Sequence, residues 1–176
     1  KWWTAGPNSN PWYKECSDRQ AQAGEMISFD TDMIGPYGYC ADISRSWVCG
    51  YQPMNATQRR LYATALDQIS HNFDLLKPGL KFAEFNARSW RIPSKHQDYR
   101  YSLALHGVGM ADEWPVVPLH VDWSDRVTLG QFEPGMVLCV ESLIAEAGSE
   151  SIKLETQVLI TETGSERLDS FPWEDV

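Results

Sequence analysis

The stretch FDTDMIGPYGYCADISRSW, residues 29–47, decides how this chain folds and what it can bind. Apolar residues flank the sequence GPYG on both sides, which predicts two strands joined by a turn. Three aspartates, Asp30, Asp32 and Asp42, interrupt the apolar pattern. Strands rarely carry Asp, and a buried carboxylate is costly unless a positive group lies beside it. We therefore expect the fold to supply a positive partner for these acids.

Composition places the chain among folded proteins and limits its partners. The 176 residues are enough for one domain with a sizeable core, and 43% of them are hydrophobic. The net charge of −9 disfavours nucleic acid and anionic membranes as partners. The four cysteines lack metal-binding spacing, which predicts reduced thiols in a cytoplasmic protein.

The remaining patterns predict an α+β fold with a mainly antiparallel sheet. A capping box over residues 55–58 begins a helix that ends at Lys77-Pro78-Gly79. The apolar stripe of this helix comprises Leu61, Ala65, Leu66, Ile69, Phe73 and Leu76. Further segments are a shorter helix over residues 81–90, mostly loop over 91–130, and strands over 135–144 and 152–163.

Two more acids, Glu141 and Glu155, fall inside the later strand patterns. Because side chains alternate between the faces of a strand, Asp30 and Asp32 are predicted to point the same way. Acids scattered over a surface are the alternative interpretation. Five acids in four separate strands, with few basic residues nearby in sequence, favour a cation site.

One histidine, His106 in LALHGVGMADEWP, stands in a setting that favours a ligand role. A lone histidine on an apolar segment is often only a core residue. Here two closely spaced glycines would let the backbone approach a ligand, and two acids follow. Carboxylates with one imidazole predict a site for two divalent transition-metal ions. The remaining histidines, in no such context, are predicted to be structural or on the surface: His71, His96 and His120.

These motifs resemble the pita-bread fold family of creatinase, prolidase and methionine aminopeptidase. The resemblance rests on YCADISR, HGVG, EPGMVLCVE and KLETQVLITETGSERL, which occur in the family's order. It implies a pita-bread fold in which residues 1–176 form a single metal-binding catalytic domain. This domain would be the C-terminal part of a longer catalytic domain, truncated on its N-terminal side. With Asp30 as an extra acid, the implied metal ligands are Asp30, Asp32, Asp42, His106, Glu141 and Glu155.

Several departures separate the chain from the peptidases of that family. Asp32 and Asp42 are ten residues apart, one fewer than is usual there. The peptidases carry a histidine where this chain has Asp112 in DEWP, and another where it has NPWY. Those histidines contact the substrate carbonyl in the peptidases, so their replacement removes oxyanion-stabilising donors. In these details the chain is similar to the family's dimethylsulfoniopropionate (DMSP) lyase branch.

The lyase resemblance implies a carbon–sulfur lyase that releases dimethyl sulfide and acrylate by β-elimination. Asp112 is the implied base, and we predict that the apolar side chains after it raise its pKa. The metal would be iron first, with manganese, cobalt, zinc and nickel as the other candidates. Aromatic faces would hold the sulfonium. The candidate substrate-binding residues are Trp12, Tyr13, Tyr101 and Trp114.

Two other functions remain open from the sequence. One is a metal-dependent proline-type aminopeptidase or prolidase, against which the two missing histidines count. The other is a non-catalytic pita-bread binding module, against which the retained ligand set counts. The resemblance also implies a homodimer that acts on a small molecule.

Overall fold

The quoted stretch forms the predicted hairpin in the structure, a computed structural model that describes residues 2–12, 14, 17–124 and 129–174. One antiparallel sheet contains β1 (Trp2–Ala5), β2 (Met26–Asp30) and β5 (Ser44–Val48), with β2 in the middle. Within the hairpin, β3 (Met33–Ile34) and β4 (Cys40–Ala41) pair as a short ribbon. The first of the two predicted strands is therefore interrupted after Asp30, so that prediction is only partly correct.

A second, five-stranded sheet supplies the rest of the framework. Its strands are β6 (Leu103–Val108), β7 (Asp112–Pro118), β8 (Val137–Ile144), β9 (Ile152–Ile160) and β10 (Ser165–Arg167). They lie in the order β10-β9-β8-β6-β7, and every neighbouring pair is antiparallel. The predicted α+β class with a mainly antiparallel sheet is confirmed.

Three α-helices lie in the described part of the chain: α1 (Ala56–Leu75), α2 (Phe82–Arg88) and α3 (Ser94–Gln97). The predicted capping box is present, since the Asn55 side chain accepts from the Gln58 N–H and Gln58 reaches back to the Asn55 N–H. The stripe of α1 packs on β8 and β9; Leu61 and Ile69 are buried, whereas Phe73 is partly exposed. In the described ranges, no helix has both the length and the apolar character needed to cross a membrane.

The prediction that residues 91–130 are mostly loop is only partly correct, because β6 and β7 lie in that segment. Two prolines in β7, Pro115 and Pro118, hid the strand from a pattern-based reading. β7 is the outer strand of the sheet, and an outer strand tolerates proline because its missing N–H need not pair.

Small hydroxyl side chains let the two sheets approach closely. The Lys153 N–H of β9 donates to Ser46 Oγ of β5 at 3.0 Å, and Ser46 Oγ donates to the Lys153 carbonyl oxygen at 2.9 Å. Ser44 Oγ of β5 donates to Glu155 Oε2 of β9 at 2.8 Å. These bonds set the acids of the hairpin against the acids of the second sheet.

Candidate metal centre

The six predicted metal ligands converge where the two sheets meet. Oxygen atoms of Asp30, Asp32 and Asp42 lie within 4.8 Å of one another. His106 Nε2 lies 3.9 Å from Asp42 Oδ2, and this contact joins the hairpin acids to the second sheet. All six are buried except Asp32, which is half-buried.

Strand register places the other two acids opposite each other. Glu141 of β8 is the direct cross-strand partner of Glu155 of β9. His106 Nε2 lies 3.7 Å from Glu141 Oε1 and 3.1 Å from Glu155 Oε1. Like charges directly opposite each other destabilise a sheet, so this pairing needs a cation nearby.

Asp32 joins the cluster by a route that strand periodicity does not describe. β2 ends at Asp30, and Asp32 has a φ of 34°, which lies in the left-handed region. The Asp32 N–H points toward Asp42 Oδ1 at 3.4 Å. The predicted proximity of Asp30 and Asp32 is therefore present, but a turn of the backbone produces it.

The chemistry of this donor set fits divalent metal ions. Among the described residues, Asp30 Oδ1 and Glu141 Oε1 are buried without a hydrogen-bond partner. Buried acceptors that face one another in this way are costly unless a cation satisfies them. Carboxylate oxygens with one imidazole suit manganese, iron, cobalt or zinc.

Cys139 lies beside His106 and Glu155 but is a poor candidate ligand. Burial, with the charges of Glu155 and Asp42, raises the pKa of its thiol well above the usual value. Only the thiolate binds metal strongly, so the protonated Cys139 packs beneath the cluster. Its Sγ lies 3.4 Å from the Asp42 carbonyl oxygen.

Lys153 is the positive partner that sequence reasoning missed. Its buried ammonium donates to Glu141 Oε2 and lies 3.5 Å from Glu155 Oε2 and 3.8 Å from Asp30 Oδ2. The signal was present in the sequence KLE, where period two places Lys153 on the same strand face as Glu155. Lys153 therefore supplies part of the positive charge that the opening acids require.

Burial and the charges of neighbouring groups raise some pKa values in the cluster and lower others. Burial and the Glu155 charge raise the pKa of Asp42 to about 11. Burial lowers the pKa of His106, but its hydrogen bond with Glu155 and the charge of Glu141 outweigh this and raise it to about 9. Burial also opposes ionisation of Glu155, yet the Lys153 charge holds the pKa of that carboxyl down at about 2. A bound divalent ion would displace the protons on Asp42 and His106.

A cavity of about 150 Å³ opens beside the cluster. Five of the predicted metal ligands line this cavity: Asp30, Asp32, Asp42, His106 and Glu141. The other residues on its walls are Lys153, Trp12, Tyr101 and Glu113. The Tyr101 hydroxyl donates to Glu113 Oε1 at 3.0 Å. Trp12 and Tyr101, which were both predicted to bind substrate, line this cavity. Trp114, predicted for the same role, is 61% exposed and does not line it. Tyr13, also predicted to bind substrate, lies outside the described residues.

Asp112 begins β7, and its surroundings differ from the predicted apolar setting. Both Asp112 and Trp114 are exposed, so apolar side chains do not enclose the carboxyl group. Partial burial still raises the pKa of Asp112, and the nearby Asp32 charge adds to this, while the positive charge of His106 opposes it. The predicted direction of the pKa shift is present; its largest cause is partial burial, to which the Asp32 charge adds.

The glycine after His106 serves the sheet, whereas the sequence suggested approach to a ligand. A Cβ added at Gly107 would come 2.1 Å from the Trp114 carbonyl oxygen of β7. At Gly109 an added Cβ would have nothing within 4 Å. Gly107 therefore lets β7 pack closely on β6 and keeps His106 in register.

Comparison with known proteins finds a matching family model and several similar relatives. The model of metallopeptidase family M24 matches residues 1–162. Two proteins named dimethylsulfoniopropionate lyase DddP, from Roseobacter denitrificans and Roseovarius nubinhibens, are 45% and 46% identical to this chain over 175 residues. Those matches cover 97% of this chain and 38% of each lyase, so the chain spans well under half of their length. The Xaa-Pro dipeptidase of Pyrococcus furiosus is 29% identical over 155 residues, 86% of this chain and 42% of the dipeptidase.

Solved structures share the fold at lower identity. The prolidase from Pyrococcus furiosus superposes with a TM-score of 0.79 at 24% identity, covering 97% of this chain and 49% of that one. A dipeptidase from Pyrococcus horikoshii gives a TM-score of 0.83 at 22% identity, covering 98% of this chain and 46% of that one. These likenesses confirm the predicted pita-bread fold.

Proposed function

The chain belongs to metallopeptidase family M24, and from that premise we propose that its full-length protein is a metal-dependent lyase that cleaves DMSP to dimethyl sulfide and acrylate. The observation that carries the proposal is the difference in identity between two groups of relatives. Identity is 45–46% to two proteins named DMSP lyase and 29% to an Xaa-Pro dipeptidase, and the lyase matches also cover more of the chain.

The six clustered residues are proposed to hold two divalent ions: Asp30, Asp32, Asp42, His106, Glu141 and Glu155. When bound, such ions would withdraw charge from the substrate carboxylate and so acidify the proton on the neighbouring carbon. His106 must be neutral to act as a ligand, which its raised pKa opposes until an ion is present.

Asp112 is the proposed base. It takes the proton from the carbon next to the carboxylate, the electron pair forms the new carbon–carbon double bond, and the carbon–sulfur bond breaks toward sulfur. The products are acrylate, dimethyl sulfide and a proton on Asp112. Its raised pKa favours this role, because a general base works best when its pKa lies near the working pH.

The finer features of the proposal come from the family resemblance, except that the cytoplasmic location comes from the cysteine pattern. They are iron as the native metal, a homodimeric state, a cytoplasmic location and residues 1–176 as one catalytic domain. Elemental analysis of the purified full-length protein tests the first, and light scattering after size-exclusion chromatography tests the second.

A paired substrate assay tests the lyase proposal. Metal-loaded full-length protein is supplied in turn with DMSP and with an Xaa-Pro dipeptide, and dimethyl sulfide and free proline are measured. We expect sulfide without proline, and Asp112→Asn should lower sulfide release at least about 100-fold, since general base catalysis contributes roughly 10²–10⁴. The control Asp67→Asn alters an exposed acid of α1 and should have no effect. Proline release without sulfide would replace the lyase by a prolidase.

A further inference from the structure

Glu113 lies on the cavity wall but outside the predicted metal-ligand set. The other carboxylates of the described cavity wall, Asp30, Asp32, Asp42 and Glu141, all belong to that set. The bond from the Tyr101 hydroxyl to Glu113 Oε1, at 3.0 Å, ties this carboxylate to an aromatic ring on the same wall. A carboxylate in this place is available for a task other than metal binding.

An irregularity of the β6–β7 pairing brings Glu113 to the cavity. His106 pairs with Val116 and Val108 pairs with Asp112, so two steps along β6 correspond to four along β7. The extra residues of β7 form a bulge that contains Glu113, which has a φ of 52°. Bulges commonly redirect side chains next to functional sites. The acid is visible in the sequence, whereas the bulge that brings it to the cavity wall is not.

The cavity is electrostatically divided. Its inner end holds Lys153, and bound divalent ions would add further positive charge there. Glu113, which is exposed and accepts a hydrogen bond from the Tyr101 hydroxyl, lies on the same cavity wall as Trp12 and supplies negative charge apart from the metal ligands. A zwitterion would therefore place its carboxylate at the inner end and its cation beside Glu113.

A sulfonium makes particular demands on such a site. It carries a permanent positive charge and no N–H or O–H, so it cannot donate a hydrogen bond. Recognition must come from negative charge and from aromatic faces. Trp12 offers an aromatic face and Glu113 offers the charge, because the Tyr101 ring already has the Lys153 ammonium 5.3 Å from its centroid.

We propose that Glu113 recognises the cationic end of the substrate and so selects a zwitterion over a neutral-headed carboxylate of the same shape. This inference rests on the proposed function, because it names the group of that substrate which Glu113 contacts. It assigns a specificity role to a residue for which the reaction itself has no other use.

The test uses two ligands that differ in charge and share a shape: 3-(trimethylammonio)propanoate and 4,4-dimethylpentanoate. Their dissociation constants are measured by calorimetry on metal-loaded full-length wild-type protein and on Glu113→Gln. We expect the wild type to prefer the cationic ligand, and Glu113→Gln to reduce that preference about five- to tenfold, the scale of one partly exposed charge pair. Affinity for the neutral ligand should change less than about twofold.

Further variants keep the result interpretable. Glu113→Asp retains the charge and should retain most of the preference, and Glu133→Gln, at an exposed acid distant in sequence, should retain all of it. Metal content and melting temperature verify that each variant is folded. A preference that is absent in the wild type, or unchanged in Glu113→Gln, overturns the inference. Dimethyl sulfide release by the same wild-type preparation is scored separately, so failure of the lyase proposal is distinguishable from failure at Glu113.

Discussion

Replacing Lys153 with methionine removes the ammonium group from the centre of the acid cluster while keeping a side chain of similar length. In the structure this ammonium donates to Glu141 and lies within 4 Å of Glu155 and Asp30, and the residue is buried. The variant therefore leaves three carboxylates without their shared positive neighbour. We expect the protein stripped of metal by a chelator to depend strongly on this residue.

The magnitude follows from the burial of the pair. Removing one partner of a buried ion pair costs about 3–5 kcal/mol, because the remaining charge is uncompensated. Glu141 has a pKa raised to about 7 by burial, so it can take up a proton and recover part of the loss in acid. We expect a loss near 3 kcal/mol at about pH 6 and nearer 5 kcal/mol at about pH 8.

Guanidinium unfolding of full-length protein measures this loss, with and without added divalent metal. Metal should reduce the effect of Lys153→Met to less than about half, because bound cations supply the missing charge. The control is Lys95→Met, which breaks a 3.6 Å ion pair with Glu146 at a side chain that is 54% exposed. This control should cost less than about 1 kcal/mol. If both variants cost the same in stripped protein, Lys153 does not balance the cluster.

Three further predictions concern protons and packing. The stripped protein should lose at least about 3 kcal/mol between pH 6.5 and 9, as followed by unfolding curves, because folded His106 keeps its proton to about pH 9 whereas unfolded histidine loses it near 6.5, and the raised pKa of Asp42 adds to the loss; stability that rises over this range would contradict the raised pKa values. Metal binding at pH 7 should release close to two protons, from His106 and Asp42, measured by calorimetry in buffers of different ionisation enthalpy, and release of none would count against both residues as ligands. Gly107→Ala should destabilise the protein by about 1–3 kcal/mol because its Cβ meets the Trp114 carbonyl, whereas Gly109→Ala should change the unfolding free energy by less than about 0.5 kcal/mol; equal effects would remove the packing argument.

Local pattern was enough to predict much of the framework. The hairpin, the capped helix α1, and strands β8 and β9 follow from turn residues, a capping box and apolar periodicity. The acids inside predicted strands favoured a cation site, and the family resemblance implied that Glu141 and Glu155 share it with the hairpin acids. These features depend on neighbouring residues, which a single sequence displays directly.

Other features depend on contacts between distant segments and were not predicted. β6 and β7 were hidden because β6 depends on its pairing with β8, and β7 depends on its pairing with β6 and on the close approach at Gly107. Lys153 acquires its role only when β2, β8 and β9 come together. Glu113 reaches the cavity through a bulge whose position the sequence does not display.

The most direct test of the proposed function is a metal titration of dimethyl sulfide release. Full-length protein is stripped with a chelator, dialysed, and supplied with DMSP while Fe(II), and separately Mn(II), is added in measured equivalents without oxygen. The account predicts no sulfide from stripped protein and release that rises until two ions are bound per chain, accompanied by equimolar acrylate. Full sulfide release from protein shown to be free of metal, or none at two bound ions, would contradict it.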